Sequence, residues 1–382
     1  MKKTTQTIAQ ADISRRNVFG LVALGAATGS TCVNAQTVAE SDGTGPVMLK
    51  FQSTFPESDL LHKFAVDFAE RVNAMGKGRV QMQMLPVNAV VKPNELLQAT
   101  STGKLDGGLG YPAYWYGQAK SVGLWDAGPA FGMDSRMLLT WHEFGGGKEL
   151  LAQVYKAIGA NVVSIPCIPL PTQPLGWFHN PIRTLDDLSG LKYRTVGLAM
   201  EVFKELGMQP TPLAGGAIVD AMKKKEIVAG EWNNLTSDRV MGLPKVAKVC
   251  MLQSFHEATA VLEVLITQAK WDSLPEDVQS IIRMATKSMS CNAYRTMVNQ
   301  NSKDMAELES EGTQFNRTPE IVLQAQLRAW DKVLRKLANQ DALFAKVVDS
   351  QRRYARRMTR WKFDVDVDYG LAYNHAFNRH QA

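Results

Sequence analysis

Short apolar runs and longer stretches of helical periodicity alternate along the chain. Runs at 47–53, 80–85 and 162–168 are bounded by turn-forming residues, and their length predicts buried β-strands. Over 60–76, apolar residues recur every three or four positions, which is the spacing of an amphipathic helix, and the segment ends at a glycine. This order predicts strands that are separated by helices in the first part of the chain.

The alternation continues after residue 169 and predicts a second unit of the same kind. The segment 191–196 has the pattern of a strand, and 198–206 and 217–225 have the pattern of helices. Repeated βα units favour an α/β fold with parallel sheets and helices on both faces. We expect two lobes with a hinge cleft between them, because strand ends that face each other commonly hold a ligand. The predicted lobes are residues 46–168 together with parts of 259–311, and residues 169–258.

Helical periodicity dominates the last third of the chain. Ser273 and Glu276 have the spacing of a capping box. No glycine or proline interrupts the sequence from Glu276 to Glu311, which predicts one long helix that braces both lobes. Residues 312–382 are interpreted as a C-terminal helical extension, whose last helix has a basic face. Such a face is typical of a solvated surface or, alternatively, of contact with an acidic partner. Its arginines are Arg352, Arg353, Arg356, Arg357 and Arg360.

Residues 1–35 have the composition of a cleaved export signal. Arg15 and Arg16 precede a weakly apolar run at 18–27, and Val33-Asn34-Ala35 offers a small-residue cleavage site. The adjacent arginines predict the twin-arginine route and therefore a periplasmic location. A lipid anchor at Cys32 is the alternative, although the residues before this cysteine lack the usual apolar one.

Charge and cysteine content exclude several classes of protein. The 382 residues include 43 basic and 37 acidic side chains, a net charge of +6. The signal holds four of the basic and one of the acidic residues, which leaves +3 and no reason to expect nucleic-acid binding. Three cysteines remain after removal of the predicted signal: Cys167, Cys250 and Cys291. Because three is an odd number and no CxxC pair is present, neither a disulfide scaffold nor a structural zinc site is expected.

Common catalytic motifs are absent from the sequence. It contains no HExxH, no GxSxG and no Walker loop, and the match of Gly108–Ala113 to GxGxxA lacks an acidic residue at the expected distance. An exported, two-lobed chain of this kind is typical of a solute receptor without a catalytic cofactor. Two alternatives stay open: a periplasmic enzyme that uses Glu231 and His256, and a receptor that has lost its ligand and serves in signalling or scaffolding.

Several motifs, in order along residues 46–310, resemble those of one transport family. The chain is similar to the DctP-type periplasmic receptors of TRAP transporters, and most similar to the branch that binds 2-oxo acids and related small monocarboxylates. The resemblance implies a receptor that closes around an organic anion and delivers it to membrane permease subunits. The motifs are Tyr114-Trp115-Tyr116, Phe131-Gly132-Met133, Gly145-Gly146-Gly147, Gly176-Trp177-Phe178, Thr184–Arg194, Gly230-Glu231-Trp232 and Trp271–Glu276.

The resemblance also implies a role for individual polar residues. Arg194 corresponds to the arginine that binds the ligand carboxylate, a task that suits a guanidinium group. Glu231 and the Trp232 carbonyl correspond to ligands of a cation, Na+ or Ca2+, that is bound together with the acid. Gln173 and Glu257 are the further candidate ligands, because hard cations take several oxygen atoms.

Aromatic residues are the candidates for the walls of the pocket. Tyrosine hydroxyls there are expected to reach the keto oxygen of the ligand. Some relatives pair through C-terminal helices, so a homodimer of this kind is an expectation, with a monomer as the alternative. In contrast to the family pattern, His179-Asn180-Pro181 replaces a basic and acidic pair, which leaves the identity of the acid open. The wall candidates are Phe55, Tyr111, Tyr114, Trp177 and Trp232.

Overall fold

Two mixed β-sheets, covered by helices, form the framework of the protein. The structure is a computed structural model that describes residues 45–377, so the predicted export signal at 1–35 and its alternative at Cys32 lie outside the described residues. The strands are β1 Val47–Ser53, β2 Val80–Leu85, β3 Gly107–Gly110, β4 Val162–Leu170, β5 Gly176–Phe178, β6 Lys192–Arg194, β7 Gln209–Thr211, β8 Ala229–Gly230, β9 Val249–Leu252, β10 Ala260–Thr267 and β11 Gln314–Arg317.

The helices surround both sheets and fill most of the C-terminal third. In chain order they are α1 Leu60–Gly76, α2 Leu96–Ser101, α3 Ser135–Phe144, α4 Gly147–Ala157, α5 Ala199–Glu205, α6 Gly215–Lys223, α7 Leu235–Met241, α8 Leu243–Val246, α9 Gln268–Ser273, α10 Glu276–Ser310, α11 Glu320–Gln340, α12 Ala342–Val365 and α13 Tyr369–Phe377. Short 3-10 turns lie at Pro93–Glu95, Pro112–Trp115, Lys120–Leu124, Ala130–Gly132 and Asp186–Leu188.

The α/β fold with two lobes is confirmed, but the prediction of parallel sheets is wrong. The first sheet has the order β2-β1-β3-β10-β4 and the second β11-β9-β5-β8-β6-β7. Strand β10 runs antiparallel to β3 and β4, and β5 runs antiparallel to β8 and β9. The physical reason is the path of the chain. It leaves the first sheet through β4 and returns through β10, so β10 enters from the cleft side and points the opposite way.

Two crossover segments connect the sheets, and they lie side by side. Residues 171–175 lead from β4 to β5, and residues 253–259 lead from β9 to β10. The backbone amide of Gln173 donates a hydrogen bond to the backbone carbonyl of Glu257 at 3.3 Å, and this bond joins the two crossovers.

Helix α10 contacts both lobes, as predicted, but it begins differently. It packs against α1 and β4 on one side and against α7 on the other. Arg71 in α1 donates to Ser288 at 2.9 Å, and Thr236 in α7 donates to Asp304 at 2.6 Å. The prediction of a capping box formed by Ser273 and Glu276 is wrong, because the N-cap residue of α10 is Pro275. Ser273 instead ends α9 and donates to the Lys270 carbonyl at 2.7 Å.

The C-terminal extension is helical from Glu320 onward but begins with a strand. Residues of β11 pair in parallel with β9 at the edge of the second sheet, so the prediction of helix alone over 312–382 is wrong there. The long helix α10 ends beside that edge. The segment after Gly312 therefore pairs with β9, and this satisfies its backbone hydrogen-bonding groups. Helix α11 packs against α5, and α12 packs against α3 and α4. None of the helices within residues 45–377 combines the length and the apolar composition that crossing a membrane requires.

Candidate ligand and cation site

Four buried polar side chains from both crossovers and from two strand ends meet between the sheets. Arg194 is the last residue of β6, and Glu231 follows β8 directly. Gln173 and Glu257 come from the two crossovers. Each of the four is at most 2% exposed. Strand ends and crossovers therefore bring together residues that are far apart in the sequence.

Arg194 is fixed on one side and open on the other. Its Nε donates to the Leu213 carbonyl at 2.9 Å, and its Nη1 donates to the carbonyl and to Oε1 of Glu231, both at 2.9 Å. The centre of the guanidinium lies 5.3 Å from the Trp232 ring centroid, within the range of a cation–π contact. Among the described residues, Nη2 has no hydrogen-bond partner. This nitrogen is the part of Arg194 that remains for an anion.

Glu231 has one satisfied oxygen and one unsatisfied oxygen. Oε1 accepts from Arg194, whereas Oε2 is buried without a hydrogen-bond partner among the described residues. Burial raises the pKa of Glu231 above its ordinary value, and the Arg194 guanidinium and the nearby Thr195 hydroxyl oppose that rise. A buried carboxylate oxygen without a donor is unfavourable unless a cation or a donor reaches it.

Glu257 is held by neutral donors. The Tyr111 hydroxyl donates to its Oε2 at 2.7 Å, and the Gln173 side-chain amide donates to the same oxygen. Burial, and after it the charge of Glu231, raises the pKa of Glu257 well above its ordinary value. Because the amide nitrogen of Gln173 is engaged, its Oε1 is left buried and without a partner in the described part of the chain.

This set of side chains fits a hard metal ion. One potential ligand atom from each of Glu231, His256 and Glu257 lies within 4.8 Å of the others. Glu231 Oε2 and Gln173 Oε1 are buried acceptors without a hydrogen-bond partner among the described residues. Sodium and calcium ions take several oxygen ligands, including carboxylates and amide carbonyls. The donor set therefore matches the cation that the sequence comparison implied.

The pocket beside Arg194 is small and mainly aromatic. The space is about 10 Å³, close to what one water molecule needs. A wider cleft of about 670 Å³ shares Tyr114 and Trp232 with this pocket and reaches the first turn of α6. A separate cavity of about 740 Å³ between α3, β4 and α10 is lined by none of the buried carboxylates described above. The small pocket is lined by Phe55, Tyr111, Tyr114, Arg194, Val196, Trp232 and Asn233.

Trp177, a predicted wall residue, lies one layer behind the pocket. It does not line the small pocket, and its indole Nε1 donates to Asp238 Oδ2 at 2.7 Å. The other oxygen of Asp238 accepts from the Asn233 amide at 3.0 Å. Trp177 therefore supports the loop that carries Asn233.

Asp59 contacts the site and was not predicted from the sequence. It is the N-cap residue of α1, and its Oδ1 accepts from the Leu61 amide at 2.9 Å. Its Oδ2 accepts from Trp232 Nε1 at 2.9 Å, and its Oδ1 also accepts from Ser237 at 2.8 Å. The sequence shows only an aspartate before a helix, and this signal does not reveal a partner 173 positions away.

His256 is the second residue that gains importance in the structure. Its Nδ1 lies 2.7 Å from the Ser254 hydroxyl, and its Nε2 is buried without a partner among the described residues. Burial, assisted by the nearby Arg194 charge, lowers the pKa of His256 to about 3, so the ring is neutral at ordinary pH. Its position beside Glu257 in the sequence was the only hint of this proximity.

Comparison with known proteins agrees with the fold and identifies the family. The model of the family of bacterial extracellular solute-binding proteins, family 7 (DctP), matches residues 51–341. The chain belongs to this family, so it is a TRAP-type solute receptor of the periplasmic or extracellular kind, and the family is one of transport receptors and not of enzymes.

The similar proteins include a named 2-oxoacid-binding protein and solved receptors with bound ligands. A monocarboxylate 2-oxoacid-binding periplasmic protein of Nostoc sp. is 26% identical over 363 residues, which cover 94% of this chain and 98% of the relative. A solved TRAP periplasmic solute-binding protein from Colwellia psychrerythraea, with bound calcium and pyruvate, is 26% identical with a TM-score of 0.79. One from Pseudoalteromonas atlantica, with bound sodium and pyruvate, has the same identity and TM-score. Each similarity covers 86% of this chain and 99% of the solved one.

Proposed function

We propose that this receptor binds a 2-oxo acid or a related small monocarboxylate together with a metal cation, and delivers the acid to the permease. The observation that carries the proposal is a buried cluster in which the hydrogen bonds of Arg194 use Nε and Nη1, while one side-chain oxygen each of Glu231 and Gln173 has no partner among the described residues. An acid carboxylate would accept from Nη2 on one side and bind the cation on the other. The relatives that bind pyruvate or 2-oxo acids support this class of ligand.

Each candidate residue has a role in this proposal. Arg194 binds the carboxylate, and the cation is held by Glu231, Gln173, Glu257 and the Trp232 carbonyl. Phe55, Tyr111, Tyr114 and the Trp232 ring form the walls, which restrict the ligand to a short acyl chain. Trp177 acts through Asp238 and Asn233 and does not contact the ligand. Closure of the lobes around the acid would then create the surface that the permease recognises.

Thermal unfolding tests the proposal directly. Chelator-treated protein is heated with 2-oxo, 2-hydroxy and aromatic monocarboxylates, each with a sodium or a calcium salt. An acid at about 100 times its dissociation constant should add about 2.7 kcal/mol, a shift of several degrees. Arg194→Ala should abolish the shift, whereas Arg183→Ala, which removes an exposed arginine of the same lobe, should leave it intact.

Two outcomes would contradict the proposal. A shift that is unchanged in Arg194→Ala would place the ligand elsewhere, and the absence of a shift with any acid would remove the assignment of the ligand class. If Arg194→Ala does not fold, Arg194→Lys keeps the charge and should weaken binding without abolishing it. An acid that is recovered unchanged after prolonged incubation would agree with a receptor that performs no catalysis.

Export through the twin-arginine route is also part of the proposal. It rests on Arg15 and Arg16 in the sequence. Arg15→Lys together with Arg16→Lys should leave the precursor in the cytoplasm, as measured by cell fractionation and immunoblotting. Unchanged export of the double variant would indicate another route.

We further propose that two copies pair through their C-terminal helices. Eight large apolar side chains of residues 361–377, among them Phe363 and Leu371, are 46–72% exposed. The basic face at 352–360 is followed by Asp364, Asp366 and Asp368, so an antiparallel second copy would place opposite charges together. Light scattering should give a dimer for the wild type and a monomer for Leu371→Glu. A monomeric wild type would contradict the pairing.

A further inference from the structure

A second cavity lies away from the buried carboxylate cluster, between α3, the edge strand β4 and part of α10. It measures about 740 Å³, a size that is usual for sites that hold small organic ligands. Its lining residues on α10 run from Arg283 to Arg295, so it extends for about 18 Å at 1.5 Å per residue. None of the residues assigned above to the cation or the acid lines it. This shape suits an elongated molecule better than a compact one.

The walls of this cavity carry an excess of positive charge. Five basic side chains line it against one acidic side chain, Glu143, which pairs with Lys287 at 3.4 Å. Arg136 pairs at 3.0 Å with Asp134, which does not line the cavity. The other three basic side chains have no carboxylate partner among the described residues, so the cavity attracts an anion. These three are Lys148, Arg283 and Arg295.

His142 adds a neutral hydrogen-bond donor to the wall of the cavity. The residue is 7% exposed, and its Nδ1 lies 3.2 Å from the indole Nε1 of Trp125, which can only donate. Burial lowers the pKa of His142 to about 4, although the charges of Glu143 and Glu149 oppose this, so the ring is neutral and its proton is on Nε2. Because Nε2 has no hydrogen-bond partner within residues 45–377, it can donate to an oxygen atom of a ligand.

The apolar part of the lining belongs mainly to β4, and it is not suited to a peptide strand. Pro166 and Pro169 lack an amide hydrogen, and the Ile168 amide donates to the Ser290 hydroxyl at 3.0 Å. An edge strand with so few free donors pairs poorly with an added strand. The occupant is therefore expected to contact side chains and not the backbone of β4. The apolar lining residues are Leu139, Ile165, Pro166, Cys167, Pro169 and Met284.

We propose that this cavity is a second ligand site, which binds a linear carboxylate with a medium-length apolar chain. The carboxylate pairs with the unpartnered basic side chains and accepts from His142, and the chain covers the apolar residues of β4. A neutral chain would leave the positive charges without a partner, and a small anion would leave the apolar lining in contact with water. The site is separate from Arg194 and does not depend on the acid that the cleft binds.

Cys291 reports directly on occupancy, because it is exposed and lines the cavity, whereas Cys167 and Cys250 are buried. The protein is treated with iodoacetamide with and without sodium decanoate, and mass spectrometry of the peptides gives the alkylation rate of each cysteine. At about ten times its dissociation constant, decanoate should slow the alkylation of Cys291 about tenfold, since only the unliganded fraction reacts. Sodium acetate and 1-decanol at the same concentration, which match its charge and its chain separately, should have little effect.

Calorimetric titration with decanoate supplies the second measurement. Lys148→Glu together with Arg295→Glu reverses two unpartnered charges of the cavity and should weaken binding about tenfold or more. Lys303→Glu, which alters an exposed lysine of α10 outside the cavity, is the matched control and should bind as the wild type does. Arg194→Ala should also retain decanoate binding, because Arg194 belongs to the other site.

Each of four outcomes would overturn the inference. Unchanged alkylation of Cys291 would show that the cavity does not take this class of anion, and equal protection by 1-decanol would show that apolar contact alone is responsible. Loss of decanoate binding in Arg194→Ala would place decanoate in the cleft between the sheets. Protection that appears only in Leu371→Glu would show that a second copy of the chain covers the cavity. The wild-type measurements decide the question even if the double variant does not fold.

Discussion

At the scale of single residues, the polar side chains of the site satisfy only part of one another's hydrogen-bonding capacity. Arg194 engages Glu231 and the Leu213 carbonyl, and this leaves one guanidinium nitrogen open. Trp232 connects this arginine to Asp59, since the ring stacks near the guanidinium and the indole donates to the carboxylate. Asp59 therefore positions a wall of the pocket from the first turn of α1.

Asp59→Asn should weaken ligand binding while α1 stays intact. Asparagine is as good an N-cap residue as aspartate, so α1 should be preserved. The variant loses the charged acceptor that holds both the Trp232 indole and the Ser237 hydroxyl, and we expect about a tenfold loss of acid affinity, or roughly 1.4 kcal/mol. Calorimetry and tryptophan fluorescence measure the effect. An unchanged affinity would show that Trp232 does not need this anchor.

At the scale of elements, α10 connects the two sheets through a polar contact with α7. Asp304 is 5% exposed and accepts from the Thr236 hydroxyl at 2.6 Å and from Arg239 at 2.9 Å. Arg239 also pairs with the more exposed Glu307 and Glu311 at the surface. The buried carboxylate should therefore contribute more to stability than its exposed neighbours.

Asp304→Ala should lower the free energy of unfolding by about 1–3 kcal/mol, because it leaves a buried hydroxyl and part of a guanidinium unsatisfied. Glu307→Ala is the matched control, since it removes an exposed partner of the same arginine and should change stability by less than about 1 kcal/mol. Urea denaturation measures both. Equal effects of the two substitutions would mean that burial of this contact has no energetic importance.

At the scale of the whole molecule, buried carboxyl groups in both lobes link stability to pH. Glu263 in β10 accepts from Tyr155 at 2.5 Å and from Ser164, and burial raises its pKa to about 7. Burial also raises the pKa of Asp238 to about 7 and that of Asp126 well above its ordinary value. The folded protein therefore binds more protons than the unfolded chain at mildly acidic pH.

Stability should fall as the pH rises through the window between the two pKa values of Glu263. The unfolded pKa is 4.5 and the folded one about 7, so the protonated folded form is favoured below this window and the advantage is lost across it. Glu263→Gln should remove up to about 3 kcal/mol of this pH dependence. Unfolding at pH 5 and at pH 7.5, with the exposed Glu276→Gln as the control, measures it. An identical pH dependence in Glu263→Gln and wild type would contradict the buried-carboxyl explanation.

The periodicity of the sequence determined the elements of this protein. The strands at 47–53 and 80–85, the first helix and the long helix from Glu276 all appear where the apolar pattern predicted them. The reason is that local periodicity records which face of an element is buried, and this needs no knowledge of distant partners. Family motifs likewise identified Arg194, Glu231 and Trp232 as candidates, because those residues lie in contiguous and recognisable segments.

The tertiary structure alone decided how the elements and the site are assembled. The direction of β10 follows from the return of the chain between the sheets, and no local pattern encodes that path. The meeting of Gln173 with Glu257, the anchoring of Trp232 by Asp59 and the position of Trp177 behind the pocket join residues that are 61–173 positions apart or lie on separate crossovers. Partners at such separations are chosen by packing and by the need to satisfy buried polar groups, and these conditions exist only in the folded chain.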